Sequence, residues 1–261
     1  MVEKDGGLVF VGTGILLGGH MTPRAREYIT NADIVFMSVS SGIMEAWISD
    51  MNQDVRSLQV FYKEEVSRKE TYNSMVNAIL SEVRDGKRVC CVLYGHPGVF
   101  AYVSHRAIEL ARNEGFTAKM EPGISAEDCL VADLGIDPGK YGCQQYEATQ
   151  FMLYQRKIDP SAYLILWQIG VAGDISLKKL ETKSSHRKIL LELLSEHYPD
   201  DHEVIVYEAS SLPLSKTRIE KIPLNHLIDI KLHDYSTLVI PPSLPLSINS
   251  RVEEKLRQFS Y

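Results

Sequence analysis

Apolar residues in the first half of the chain cluster in short runs: GLVFVGTG (7–14), DIVFMSVS (33–40), RVCCVLY (88–94) and FTAKME (116–121). Between them lie stretches in which apolar residues recur every three or four positions. The runs predict buried strands and the spaced stretches predict amphipathic helices. Thr22 followed by Pro23 supplies an N-cap with proline at the first helical position for RAREYITNA (24–32). Ser67 and Glu70 fit a capping box, so a helix is expected near 68–85, with Tyr72, Met75, Val76, Ile79, Leu80 and Val83 on its buried face. HRAIELARNEG (105–115) predicts a further helix. Strands alternating with helices imply βαβ units and a parallel sheet.

Pro122-Gly123 interrupts this pattern, with a helix expected from about Ser125. The reading is two α/β domains, 1–122 and 123–242, followed by a tail over 243–261 that forms an arm or a terminal helix. In the second half YGCQQYEATQFMLY (141–154), AYLILWQIGV (162–171), HEVIVYEAS (202–210) and STLVIPP (236–242) are strand candidates. SKTRIEKIPL (215–224) adds a strand or hairpin, and KILLELLSEH (188–197) is the one convincing helix. The result is a more mixed sheet than the first.

Composition narrows the partners. The 261 residues are 44% hydrophobic and 24% charged, with a net charge of −6. An acidic chain lacks the basic footprint of a nucleic-acid or membrane-surface binder. Its apolar runs are strand-sized, so no transmembrane helix is expected, and MVEKDGGLVFVGTG lacks the apolar core of a signal peptide. Cys90, Cys91, Cys129 and Cys143 form no CxxC pair, which points to a reduced, cytoplasmic protein. HYPDDH (197–202) reads as a solvated loop, and no metal is expected.

Two loops carry candidate chemistry. VGTGILLGG (11–19) follows a strand, but position 17 is leucine and Asp33 opens the next strand, where a ribose-binding acid should close it. A nicotinamide site is therefore disfavoured. The glycines form either a tight turn or a loop lining a ligand cleft. YGHPGVF (94–100) bends a second strand end with two glycines and a proline.

Arg68 is misplaced locally. A cation in the first helical turn opposes the dipole by about 0.3–1 kcal/mol. It also extends the face of Tyr72. Either the arginine snorkels to a carboxylate, or it serves a cleft beside Tyr72, Tyr62 and Tyr94, where a cation favours a phenolate.

VGTG (11–14), MTPRA (21–25), YGHPGVF and EPGISAEDCL (121–130), with WQIGV (167–171), resemble the tetrapyrrole methylase family over about residues 7–242. The resemblance implies a two-domain tetrapyrrole methylase-like α/β fold with a parallel N-terminal and a mixed C-terminal sheet. It also implies S-adenosyl-L-methionine in the cleft between the domains, S-adenosyl-L-homocysteine as product, and a homodimer. It assigns the donor site to Tyr94, His96, Val99, Phe100, Ser125, Ala126, Gln168, Ala209 and Ser236.

Corrinoid methylases of the family carry Gly-Asp-Pro where this chain has Gly95-His96-Pro97. With Tyr62, Arg68, Tyr72 and Tyr94, the chain is instead similar to borosin peptide backbone α-N-methyltransferases of the split bacterial type. That similarity makes Tyr72 and Arg68 the centre of amide activation, assisted by Tyr62 and Tyr94. Because the chain stops soon after the two domains, the expected substrate is a separate precursor peptide, bound by a homodimer or in a heterotetramer with two precursor chains. Methylation of a tetrapyrrole or other small molecule, and an inactive peptide-binding scaffold, are the alternatives.

Overall fold

The computed structural model describes residues 5–39, 41–63, 66–175 and 182–259. The chain divides into two compact units. One extends to Gly135 and takes in Ala209–Thr217; the other holds Ile136–Glu208 and the chain from Arg218 onward. The helix that follows Pro122-Gly123 thus belongs with the first unit, whereas the sequence boundary falls at 122.

The first unit contains β1 (Gly7–Gly12), α1 (Pro23–Asn31), β2 (Ile34–Ser38), α2 (Gly42–Ser49), β3 (Val55–Ser57), α3 (Arg68–Arg84), β4 (Arg88–Leu93), α4 (Tyr102–Asn113), β5 (Thr117–Met120) and α5 (Ala126–Leu134). Local chemistry starts α1 and α3 where the sequence indicates. The Thr22 hydroxyl accepts from the Ala25 N–H at 3.1 Å ahead of Pro23, and Ser67 with Glu70 forms both halves of a capping box.

Its sheet runs β3-β2-β4-β1-β5, with every neighbouring pair parallel. Successive side chains point to opposite faces. Leu8, Phe10, Phe36, Val89 and Cys91 meet Met75, Val76 and Ile79 of α3 and Ala107 of α4. Val9, Val11, Val35, Cys90 and Val92 meet Ala25 and Ile29 of α1 and Met44 and Ile48 of α2. Each such Val, Ile or Phe contributes about 1.5–3 kcal/mol. The adjacent cysteines are therefore split between two cores, where burial pushes both thiols well up.

This topology also fixes where a ligand is best taken. The connection from β1 runs to β2 and that from β4 runs to β5, in opposite directions across the sheet. Ligands of open α/β sheets lie beyond the carboxyl ends of strands at such a switch point.

The second unit contains α6 (Pro138–Tyr141), β6 (Cys143–Glu147), α7 (Ala148–Leu153), β7 (Tyr163–Trp167), α8 (Ser184–Ser195), β8 (Glu203–Glu208), β9 (Arg218–Pro223), β10 (Thr237–Ile240) and α9 (Ser250–Arg257). Its sheet is β6-β7-β10-β8-β9, parallel between β6 and β7 and antiparallel elsewhere. The predicted strand over 141–154 is corrected here. It is a strand followed by a helix, because the Glu147 carboxylate accepts the N–H groups of Thr149 and Gln150 and caps α7. HYPDDH is also more than a solvated loop. Tyr198 is buried and stacked 5.5 Å from the His202 ring, whose Nε2 lies 2.9 Å from the Pro241 carbonyl. No helix among the described residues is long and apolar enough to cross a membrane.

Candidate functional site

Three loops converge beyond the carboxyl ends of β1, β4 and β5. Gly14 and Gly95 form an antiparallel bridge, with N–H to carbonyl distances of 3.2 and 3.1 Å. A Cβ on Gly12 would overlap the Gly95 carbonyl, and one on Gly123 would lie 3.1 Å from that same oxygen. The glycines therefore serve first to let three backbones meet each other. This tight packing presents the intervening side chains on a fixed frame.

His96 is one of them. Its Nδ1 accepts from the Gly98 N–H at 2.9 Å, which leaves Nε2 as the nitrogen that can donate to a ligand. Val99 and Phe100 are exposed, and Phe100 has φ 50°. Among the described non-glycine residues the only other positive φ is that of Gln168, at 59°. Such strain concentrates at functional positions, and both residues lie in the set assigned from sequence.

Ser125 and Ala126 divide their work. The Ser125 N–H and hydroxyl both go to the Asp128 carboxylate, at 2.6 and 2.8 Å, closing a capping box on α5. Ala126, at the first position of the helix, carries one of the amides that the helix leaves open. Ala209 opens a segment tied to the β1 loop, whose Leu17 N–H donates to the Ser211 carbonyl at 2.9 Å.

The tyrosine–arginine set is assembled by α3. Arg68 occupies its first position, and the guanidinium carbon lies 4.8 Å over the Tyr62 ring. The arginine is thus engaged with an aromatic face. Tyr62 meets Tyr72 edge-on, with centroids 6.5 Å apart and planes at 88°. Tyr72 then stacks on Tyr102 at 6.0 Å and 28°.

Tyr102 is absent from the sequence-derived set, because HRAIELARNEG places the helix start at His105. The buried spacing of Val103, Ala107 and Ala111 would have placed its start earlier. It opens α4 two residues after the strained Phe100, so it joins the tyrosine set to the β4–α4 loop. Tyr94 stands just after β4, with its N–H bonded to the Ser38 carbonyl at 3.2 Å.

Burial holds the Tyr62 hydroxyl above the ordinary tyrosine range. The charge of Tyr72 and its hydrogen bond add to the shift, and Arg68 opposes it without overcoming it. The expectation that a neighbouring arginine yields a phenolate does not hold for Tyr62.

In the second unit every polar group of Ser236 is committed to protein. Its hydroxyl donates to Glu208 at 2.5 Å and accepts the His233 N–H at 2.7 Å; its own N–H goes to the His233 carbonyl and its carbonyl accepts the Ile169 N–H, both at 2.9 Å. Among the described residues no group of three or more His, Cys, Asp or Glu side chains is arranged to hold a metal.

A parallel α/β unit with glycine loops at its switch point, in one chain with a mixed-sheet unit, defines a two-unit α/β class. Residues 7–225 match the tetrapyrrole (corrin/porphyrin) methylases, and the chain belongs to that family of methyltransferases. It is 40% identical over 263 residues to a Coprinopsis marcescibilis protein named methyltransferase/ribosomally synthesized type I borosin cyclic peptide precursor, covering 98% of this chain and 67% of that one. It is also 40% identical over 253 residues to the methyltransferase/ribosomally synthesized cyclic peptide dendrothelin A precursor of Dendrothele bispora, covering 95% and 61%. The fold resembles uroporphyrin-III-C-methyltransferase from Thermus thermophilus, with a TM-score of 0.63 at 15% identity, covering 94% and 99%.

The chain thus spans 67% and 61% of the length of these two curated relatives. They are fungal proteins whose names join enzyme and precursor, which corrects the likeness to a split bacterial type.

Proposed function

We propose that this chain transfers a methyl group from S-adenosyl-L-methionine to backbone amide nitrogens of a ribosomally made peptide, releasing S-adenosyl-L-homocysteine. Family membership supports methyl transfer, and the relatives' names support a peptide acceptor. The observation that carries the reading is the unbroken series Arg68, Tyr62, Tyr72, Tyr102. It links a cation and three phenols to the loop bearing His96, Val99 and Phe100.

The residues fit such a donor. His96 Nε2–H and the Ala126 amide can donate to its carboxylate or hydroxyls, and an exposed aromatic face at Phe100 suits a sulfonium. When bound, the donor supplies an electrophilic methyl group.

An amide nitrogen is a weak nucleophile because its lone pair is delocalised into the carbonyl. Tyr72 takes up or shares the amide proton as the nitrogen attacks. Arg68 stabilises the negative charge that develops, and Tyr62, held protonated, donates a hydrogen bond to the imidate oxygen. Tyr94 completes the polar wall. Fixing nitrogen, methyl and sulfur in line can contribute roughly 7–11 kcal/mol.

The acceptor is read as a separate polypeptide, and the enzyme as a homodimer or a heterotetramer with two precursor chains. Incubating the protein with the donor and an added precursor peptide, followed by tandem mass spectrometry, tests this. Methyl groups on backbone nitrogens are expected; modification only of side chains would overturn the assignment. The family name favours a tetrapyrrole acceptor as the second reading, and methylation of a porphyrinoid but no peptide would establish it.

A further inference from the structure

Glu208 ends β8 with only 8% of its surface exposed, and no step of the proposed chemistry uses it. A carboxylate buried that far is costly unless it is paired and hydrogen-bonded. This one is, by three side chains from two other stretches of chain. Ser236 donates at 2.5 Å, Arg218 Nη1 lies at 2.8 Å, and His233 Nδ1 sits 3.0 and 3.1 Å from the two oxygens.

What these contacts fix is backbone. The 233–236 turn is closed by the Ser236 N–H to the His233 carbonyl and by the His233 N–H to the Ser236 hydroxyl. The Ser236 carbonyl in turn accepts the Ile169 N–H at 2.9 Å. Gly170 is pressed so closely on the His233 carbonyl that a Cβ there would overlap it. The 168–170 segment, which begins with Gln168 in its left-handed conformation, is therefore seated on a turn that Glu208 holds. Ala209 is the next residue after Glu208.

We propose that Glu208 is a positioning residue for methyl-donor binding, setting through one buried carboxylate the main-chain geometry at Gln168, Ala209 and Ser236. The inference rests on the methyltransferase reading above. It explains why Ser236, whose polar groups are all committed within the protein, matters to the site: it acts through the shape of the turn.

Calorimetric titration with S-adenosyl-L-homocysteine tests it on the wild type, on Glu208→Gln, and on Glu208→Gln/Arg218→Gln. The double variant also removes the half-buried Arg218 guanidinium, which Glu208 shares with Glu220. Donor-product affinity should fall about tenfold in both variants, with binding stoichiometry near that of the wild type. A donor KM raised in proportion, with kcat nearly unchanged, should accompany it.

Unchanged affinity would overturn the inference. So would a loss of stoichiometry or melting temperature alone, because a purely structural role lowers the folded fraction and leaves its affinity intact. Recovery of affinity in the double variant would assign the effect to an Arg218 left with Glu220 as its carboxylate partner, and overturn it as well. If Glu208→Gln does not fold, the double variant decides; if neither folds, Glu208 is structural. Absence of binding by the wild type would instead remove the methyltransferase reading itself.

Discussion

The Arg68 guanidinium lies 4.8 Å over the ring of Tyr62, yet the Tyr62 hydroxyl is harder to ionise than a free tyrosine. Burial outweighs the cation. A group raised above its ordinary value of 10 stays protonated throughout the neutral range. Tyr62 should therefore act as a donor whose contribution is the same from pH 7 to about 9.5. The ratio of wild-type to Tyr62→Phe rates, measured across that range, should be constant. A ratio that climbs with pH would mean that Tyr62 works as a phenolate.

Tyr72→Phe and Arg68→Ala remove the proposed base and its supporting charge. Both should lower peptide methylation by at least about 10²-fold while leaving affinity for S-adenosyl-L-homocysteine within about twofold. Single-turnover rates and calorimetry read the two quantities separately. Methylation retained by both variants would end the tyrosine–arginine mechanism.

Tyr102 is predicted to hold the Tyr72 ring by stacking rather than by its hydroxyl. Tyr102→Phe should keep near wild-type turnover, and Tyr102→Leu should lose about tenfold, consistent with an aromatic pair energy of about 0.5–1.5 kcal/mol. Loss in the phenylalanine variant would give the hydroxyl a chemical role.

Two glycines separate steric from conformational need. Gly12→Ala places a methyl group into the Gly95 carbonyl and should cost about 3 kcal/mol. Gly18, at φ +72° with nothing within 4 Å, should cost about 1–2 kcal/mol as alanine, from backbone strain alone. Urea unfolding of both variants checks the order.

Asp33 is held at about 2 by hydrogen bonds from the Arg88 side chain and backbone N–H, below its ordinary 3.8. A depressed carboxylate stabilises the fold above its unfolded value, and that stability is lost as pH falls from about 4 toward 2. Because the pair is largely exposed, Asp33→Asn should cost about 1 kcal/mol or less at pH 7 and only a small part of that near pH 2. Melting curves at the two pH values measure the difference.

Much of the first unit was legible from sequence because its signals are local. Thr22-Pro23 and Ser67 with Glu70 each settle a helix start within four residues. The apolar runs also specify two buried faces through the period of a strand. Glu147 escaped this logic. A glutamate inside an apparent strand gives no hint that it will cap α7, and only its bonds to Thr149 and Gln150 reveal the turn into helix.

The sequence by itself determined the strand–helix order, the glycine loops and the odd placement of Arg68. Tertiary structure alone decided that Gly12, Gly95 and Gly123 face one another, that Tyr102 completes the Tyr62–Tyr72 series, and that Glu208 gathers Arg218, His233 and Ser236. The physical reason is the range of the interactions. Caps and strand periodicity act between near neighbours in the chain, whereas backbone approach, ring stacking and buried charge pairing depend on residues that only folding brings together.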